Sequence, residues 1–189
     1  MSTLSRSARE RLLVTAAELF YEHGTHLGVN DLFARSGVSR MTFYKYFPSK
    51  ERLIEAALEY RAEQWRAWFK EAVEGLTDDP QERLLAVFDA LETHFEAPEF
   101  RGCAAINFAA ETADPTSRTH ALALEHKLLV RDYLAQLAKE AGAENALELA
   151  DKLSLLLDGA TVMAQLSGSS EPARQAKQIA TTLVRQALA

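Results

Sequence analysis

The stretch VSRMTFYKYF, residues 38–47, places four aromatic and two cationic side chains within ten positions. A strand of the protein core would not carry two cations, and a flexible basic tail would not carry this many aromatic residues. Ser39 is a favourable residue for the start of a helix, and Pro48 stops one because it drives the preceding residue out of helical geometry. The stretch therefore predicts a short helix with one buried face and one exposed face.

The sequence before this helix predicts a second short helix and a tight turn. Residues 30–36 have helical spacing, and Gly37 follows them. Two short helices joined in this way are typical of a helix-turn-helix, whose second helix enters the major groove of DNA. Helical spacing turns Val38, Phe43 and Phe47 toward the core. The outward-facing side chains can form hydrogen bonds or ion pairs with phosphate oxygens and base edges. They belong to Arg40, Thr42, Tyr44, Lys45 and Tyr46.

The longer stretch VNDLFARSGVSRMTFYKYFPSKERL, residues 29–53, resembles the DNA-binding signature of the TetR/AcrR family of transcriptional regulators. The resemblance covers about residues 6–54 and rests on Gly37, Val38, Ser39, Thr42, Tyr44, Phe47, Lys50, Glu51 and Leu53 at the family's spacing. It implies that the main DNA contacts are Thr42, Tyr44, Lys45, Tyr46 and Lys50, with Ser39 and Arg40 beside them. A two-fold dimer would read a roughly palindromic site in double-stranded DNA.

Two positions depart from the family pattern. Gly28 stands where the family usually has a capping Thr or Ser, which predicts a weaker start for the first motif helix unless Asn30 shifts it. Phe33 stands where the family prefers a small Ala. A phenyl ring there must either push between the two motif helices or point away from them.

Charge and composition limit the class of protein. The net charge is −6, but residues 1–54 hold 8 Lys/Arg and 5 Asp/Glu, whereas the rest holds 13 and 22. A basic N-terminal segment before an acidic remainder suggests that only the first 54 residues meet a polyanion, but an excess of three positive charges is small enough to arise by chance. The single cysteine excludes an internal disulfide. No apolar run approaches the roughly 20 residues of a membrane helix, and the N-terminal MSTLSRSARERLL has no apolar signal core. These features predict a cytoplasmic protein without a membrane partner.

The remaining sequence predicts an all-α fold of about nine helices. Residues 1–52 form the helix-turn-helix domain, with its recognition motif at about 29–48, and residues 53–189 form a helical body. A long helix runs from Lys50 to Gly75, so Lys50 and Trp65 lie about 22 Å apart along one rod. Residues 144–167 are apolar on almost every side, which in so short a chain indicates a second subunit. The predicted homodimer interface contains Leu153, Leu157, Ala160, Ala176 and Leu183.

By resemblance, the body is a dimerisation and ligand-sensing domain. Aromatic side chains between helices can line an apolar pocket, and a few polar groups can orient its ligand. The predicted ligand-binding residues are Trp65, Phe69, Phe88, Phe95, Asn107, Phe108, Glu111 and Tyr133. Each aromatic residue taken alone is more often ordinary core. Asp158 lies within the apolar LLLDGATVM, where a carboxylate needs a partner from the pocket or the interface.

The sequence favours a regulator over an enzyme. It contains no G-x-S-x-G, Walker or H-E-x-x-H motif, and His94, His120 and His126 lack the spacing of metal ligands. We therefore expect no catalytic residue, cofactor or metal. The leading interpretation is a repressor that a small, largely apolar effector releases from its operator. The alternative is a ligand-independent architectural DNA-binding protein.

Overall fold

The computed structural model describes residues 7–189, which form nine α-helices and no strand. In chain order they are α1 (Ala8–His23), α2 (Val29–Ser36), α3 (Arg40–Tyr46), α4 (Lys50–Leu76), α5 (Pro80–Phe95), α6 (Ala104–Ala110), α7 (Arg118–Glu140), α8 (Ala146–Ser167) and α9 (Glu171–Ala187). The predicted all-α class and helix number are confirmed. The first six residues of the predicted 1–52 domain lie outside the described residues.

Local side-chain chemistry sets several helix ends. The Ser7 hydroxyl accepts a hydrogen bond from the backbone N–H of Glu10 at 3.1 Å, and α1 begins there. Asp79 caps α5 by accepting the N–H groups of Gln81 and Glu82, and Pro80 occupies the first turn, where its missing N–H costs nothing. The chain is thus cut into helices where the sequence places capping residues, proline and glycine.

The described residues form two compact units. The first contains residues up to Gln64 together with Ala104–Leu124, and the second contains Trp65–Cys103 and Glu125–Ala189. These units are defined by packing, whereas the predicted boundary after residue 52 concerns function and stays a prediction.

Aromatic contacts hold the first unit together. The Phe20 ring of α1 meets the Phe108 ring of α6 edge-on, with 6.4 Å between ring centroids, and both rings are buried. The Arg61 guanidinium of α4 lies 3.7 Å from the centre of the Tyr21 ring. Burial lowers the Arg61 pKa, and the neighbouring Tyr21 offsets part of that decrease. Residues of α4 and α6 are therefore part of the same core as α1.

In the second unit, α8 packs against α9 and α5. The residues predicted for a dimer interface lie largely on this packed side: Leu153, Leu157, Ala160 and Ala176 are buried in the subunit's own core, and Leu183 is half-buried. The opposite side of α8 instead carries Leu155, Met163 and Leu166, which are 75%, 53% and 76% exposed. Leu155, Met163 and Leu166 therefore give α8 an exposed apolar surface.

Candidate functional site

The turn between α2 and α3 adopts the geometry that the sequence predicts. Gly37 takes the left-handed conformation, with φ 66°, and its N–H donates to the Phe33 carbonyl at 3.0 Å. A side chain is strained at that φ, which favours glycine. The Ser39 hydroxyl then accepts the Thr42 N–H at 3.2 Å and caps α3. These two residues fix the direction in which α3 leaves the turn.

The two departures from the family pattern have definite outcomes. Helix α2 begins at Val29 after Gly28, and no side chain caps it, so Asn30 does not shift the start. The Phe33 ring does not point away; it meets the Phe43 ring edge-on, with 5.5 Å between centroids. Phe33 therefore adds an aromatic contact between α2 and α3.

The predicted DNA-binding residues are on α3 and at the start of α4. Phe43 and Phe47 are buried, as the spacing predicts, and anchor α3 to the first unit. Ser39, Arg40, Tyr44 and Lys45 are exposed, whereas Thr42, Tyr46 and Lys50 are half-buried. The Arg40 guanidinium lies 5.8 Å from the Tyr44 ring centre. Their use in DNA binding stays a prediction.

Helix α4 begins with its own cap next to Lys50. The Ser49 hydroxyl accepts the Arg52 N–H at 3.3 Å. The pKa of Glu51 is lowered, mainly by a hydrogen bond from the Ser49 side chain and next by one from the backbone N–H of Glu51 itself. This cap stabilises the first turn of α4, in which Lys50 is the first residue.

The predicted ligand-binding residues do not all fall in one unit. Asn107, Phe108 and Glu111 belong to the first unit, where the Glu111 carboxylate accepts hydrogen bonds from the backbone N–H and hydroxyl of Thr25. Trp65, Phe69, Phe88, Phe95 and Tyr133 belong to the second unit. Among these five, Phe69, Phe88 and Phe95 are buried core residues, and Trp65 and Tyr133 are half-buried.

Within the second unit, aromatic rings form a continuous cluster around Trp65. Trp65 stacks on Phe69 with 4.7 Å between centroids, and Phe69 meets Tyr133 edge-on at 6.1 Å. The Tyr133 hydroxyl is buried and has no hydrogen-bond partner among the described residues. Burial, aided by the Glu74 carboxylate, raises its pKa to about 12. The hydroxyl therefore stays protonated and can donate a hydrogen bond.

His126 joins this cluster although the sequence did not mark it as functional. It is buried, its ring meets Trp65 edge-on at 5.5 Å, and its Nδ1 lies 3.0 Å from Arg66 Nη1. Burial, with the positive charges of Lys127 and Arg66, lowers its pKa to about 3. Because Arg66 can only donate, neutral His126 accepts at Nδ1. The sequence around Trp65 and Arg66 does not indicate that these residues of α4 contact His126 of α7.

Asp158 finds its partner within its own unit. Lys127 Nζ lies 2.5 Å from Asp158 Oδ1. Burial alone would lower the Lys127 pKa, but nearby Cys103 and Asp158 raise it overall. The carboxylate is thus neutralised by a lysine of α7.

Within residues 7–189, no group of three or more His, Cys, Asp or Glu side chains is placed to hold a metal ion. Each of the described helices falls short of the length or apolar character that crossing a membrane requires.

A capped helix-turn-helix with an exposed aromatic and cationic helix, in an otherwise helical chain, defines a DNA-binding regulator of the helix-turn-helix class. The family model for bacterial regulatory proteins of the tetR family matches residues 12–57, and that for the tetracyclin repressor-like C-terminal domain matches residues 80–180. The chain belongs to the TetR family of transcriptional regulators. Such regulators are not enzymes, which agrees with the sequence-based prediction.

Several known proteins are similar to this chain, in sequence or in structure, over most of its length. The HTH-type transcriptional repressor NemR of Escherichia coli is 29% identical over 178 residues, 89% of each chain. The regulator SCO4454 of Streptomyces coelicolor superimposes with a TM-score of 0.86, at 29% identity over 96% of each chain. A TetR regulator of Streptomyces avermitilis has a TM-score of 0.83 and 32% identity over 96% of this chain and 98% of its own.

Other relatives match only in part. An uncharacterized regulator of Mycobacterium tuberculosis is 34% identical over 113 residues, which is 58% of this chain and 56% of that protein. The chain thus matches little more than half the length of that relative.

Proposed function

We propose that this protein is a homodimeric, cytoplasmic repressor that leaves its operator when a small, largely apolar effector binds the second unit. The observation that carries the proposal is the surface of α3, where Arg40, Tyr44 and Lys45 are exposed while Phe43 and Phe47 anchor the helix from behind. Side chains of this chemistry, on the second helix of a helix-turn-helix, suit the major groove and its phosphates.

The DNA-binding residues divide into two roles. Arg40 and Thr42 can reach base edges, whereas Tyr44, Tyr46, Lys45 and Lys50 suit phosphate oxygens. Phosphate contacts position a protein without specifying sequence, so among these six residues Arg40 and Thr42 should alter which base is preferred. Selection of duplexes from a random pool by the purified protein tests the proposal, and recovery of no common half-site would contradict it.

The dimer is proposed to form through the exposed apolar surface of α8. Leu155 and Leu166 lie eleven positions apart, about three helical turns, so they stand on the same side of the helix. Gly159 and Val162 lie between them on that side, and Ile179 of α9 is 52% exposed. An exposed apolar patch of this kind often marks a protein–protein interface. A palindromic operator follows from the two-fold symmetry of such a dimer.

The effector is proposed to bind against Trp65 and Tyr133. The buried Tyr133 hydroxyl lacks a partner among the described residues, and a polar group left unpaired in an apolar setting costs free energy. A ligand that offers a hydrogen-bond acceptor there would remove that cost. The effector is therefore an apolar molecule that carries an acceptor, such as a carbonyl or ether oxygen.

The connection to DNA binding is proposed to run through α4. This helix is continuous from Lys50 to Leu76 and carries both Lys50 and Trp65. An effector shifts the operator equilibrium only if it binds the DNA-free state more tightly than the DNA-bound state. Compounds that raise the melting temperature should be added to the protein–operator complex. Unchanged operator affinity at saturating compound would remove the sensor function and leave DNA binding intact.

A matched pair of variants tests the effector site. Tyr133→Phe removes only the unpaired hydroxyl, so it should weaken effector binding about threefold to tenfold and leave operator affinity unchanged. Tyr60→Phe makes the same change on the half-buried Tyr60 of the first unit and should affect neither.

The second candidate function is a ligand-independent architectural DNA-binding protein. The complete burial of Phe69 and Phe88 favours it, because rings that fill a packed core do not line an open pocket. DNA affinity measured with and without added compounds distinguishes the two candidate functions. An architectural protein binds and bends DNA with the same affinity whichever compound is present.

A further inference from the structure

Met41 is the most exposed of the large apolar residues described, at 83%. It lies on α3 between Arg40 and Thr42, and neither the helix nor the core of the first unit requires an apolar residue there. A single exposed apolar residue is common on any protein surface. Met41 differs because of where it lies and what surrounds it.

Helical geometry places Met41 on the side of α3 that faces away from the core. It lies two positions before buried Phe43, which corresponds to about 160° around the helix. Exposed Lys45 follows four positions later and therefore lies one turn along the same side. When α3 enters a major groove, the outermost side chains are the ones that approach the floor of the groove.

The neighbours of Met41 are already engaged with each other. The Ser39 and Thr42 hydroxyls are 2.9 Å apart and share a hydrogen bond, while the Thr42 N–H also donates to Ser39. The Arg40 guanidinium lies beside the Tyr44 ring. Met41 is thus the residue of the first turn of α3 whose side chain projects from the protein without such a contact in the described structure.

The chemistry of methionine then selects its target. In the major groove, the C5-methyl group of thymine is the apolar feature, and apolar side chains recognise it by direct contact. A thioether is flexible and polarizable and is a poor hydrogen-bonding group, so it suits that methyl group and not a donor or acceptor. Resting on the proposed DNA binding, we infer that Met41 reads a pyrimidine C5-methyl group, that of thymine, in each operator half-site.

The test removes one methyl group at a time. In the operator selected by the wild-type protein, each thymine is replaced by deoxyuridine, which keeps its base pairing and loses only the C5-methyl. We expect one position per half-site at which this change weakens wild-type binding about fourfold. With Met41→Ala, the same replacement should leave the affinity unchanged, because the contact is already absent. Met41→Leu should restore part of the sensitivity.

Two controls separate this contact from others. Lys45→Ala changes the exposed neighbour one turn away, so it should weaken binding to every duplex while the fourfold uracil effect persists. Circular dichroism should give the same melting temperature for Met41→Ala and wild type, because the side chain is exposed. If Met41→Ala keeps the full uracil effect, or if wild type shows no such effect, the inference is overturned while the proposed DNA binding stands.

Two further measurements test whether the methyl group itself is read and whether the inference can fail separately from the proposed function. Cytosine placed at the sensitive position should bind more weakly than 5-methylcytosine there if the methyl group itself is read. Equal binding of these two duplexes would overturn the inference. Failure of wild-type protein to select any duplex would instead overturn the proposed DNA-binding function, and this inference with it.

Discussion

The Thr25 hydroxyl lies 2.7 Å from the Glu111 carboxylate, although 86 positions separate the two residues in the sequence. The same carboxylate accepts the Thr25 backbone N–H, so it satisfies two donors in the turn that follows α1. Thr25 is buried, which makes these bonds costly to lose. The residues just after α6 therefore help to hold the turn that leads into the helix-turn-helix.

This contact predicts a measurable coupling. Glu111→Ala should lower the free energy of unfolding by about 1–3 kcal/mol, because the Thr25 donors are left unpaired. Thr25→Val should remove the hydroxyl bond alone and cost less. In a double-mutant cycle followed by urea unfolding, the two changes should be clearly non-additive. Simple additivity would mean that the contact does not contribute to stability.

His126 predicts a loss of stability in mild acid. Its pKa is about 3 in the folded protein against an ordinary value of 6.5, so below pH 6.5 the unfolded chain takes up a proton that the native protein does not. Its contribution is fully present above pH 6.5 and is lost as the pH falls toward 3. Between pH 7.5 and 5 this amounts to about 2 kcal/mol. The His126→Phe variant keeps a ring beside Trp65 and should lose that part of the pH dependence. An equal decline in both proteins, measured by denaturant unfolding, would contradict this origin.

Lys50 predicts a change in the salt dependence of operator binding. If its ammonium neutralises one phosphate in each subunit, Lys50→Ala should reduce the slope of log affinity against log salt by about 0.9 per subunit. Lys70 is an exposed lysine of α4 in the second unit, and Lys70→Ala is the matched control that should leave the slope unchanged. Fluorescence anisotropy at several salt concentrations measures both. Equal slopes for wild type and Lys50→Ala would remove Lys50 from the DNA surface.

The exposed side of α8 predicts how the proposed dimer can be broken. Leu155→Arg should yield a folded monomer in light scattering, because an unpaired charge in a dry interface is expensive. Leu76→Arg introduces the same charge at another exposed leucine, at the end of α4, and should leave the dimer intact. Leu157→Arg places the charge in the subunit's own core and should prevent stable folding. A dimeric Leu155→Arg protein would exclude this surface as the interface.

The sequence predicted those features that depend on neighbouring residues. The turn at Gly37, the cap at Ser39 and the end of α3 before Pro48 each follow from a local backbone preference. The inward positions of Phe43 and Phe47 follow from helical spacing next to polar residues. Such signals are contained in a few consecutive residues, so no knowledge of the tertiary structure is needed to read them.

Features that depend on distant residues could not be read in this way. Glu111 accepts a hydrogen bond from Thr25, and only the tertiary fold brings the two together, while its predicted contact with a ligand stays a prediction. On α8, leucines occur all round the helix, so spacing alone could not tell buried Leu153 from exposed Leu155. Periodicity identifies a face only when the opposite face is polar.

The opposed faces of α3 have a consequence for engineering and for divergence among regulators. Phe43 and Phe47 hold the helix in place, while Met41 and Lys45 occupy the far side and contribute nothing to the hydrophobic core. If the far side contacts the operator as proposed, substitutions there should change operator preference without lowering the melting temperature. Operator preference and thermal stability are then separable traits, each adjustable by exchanging a few side chains of one seven-residue helix.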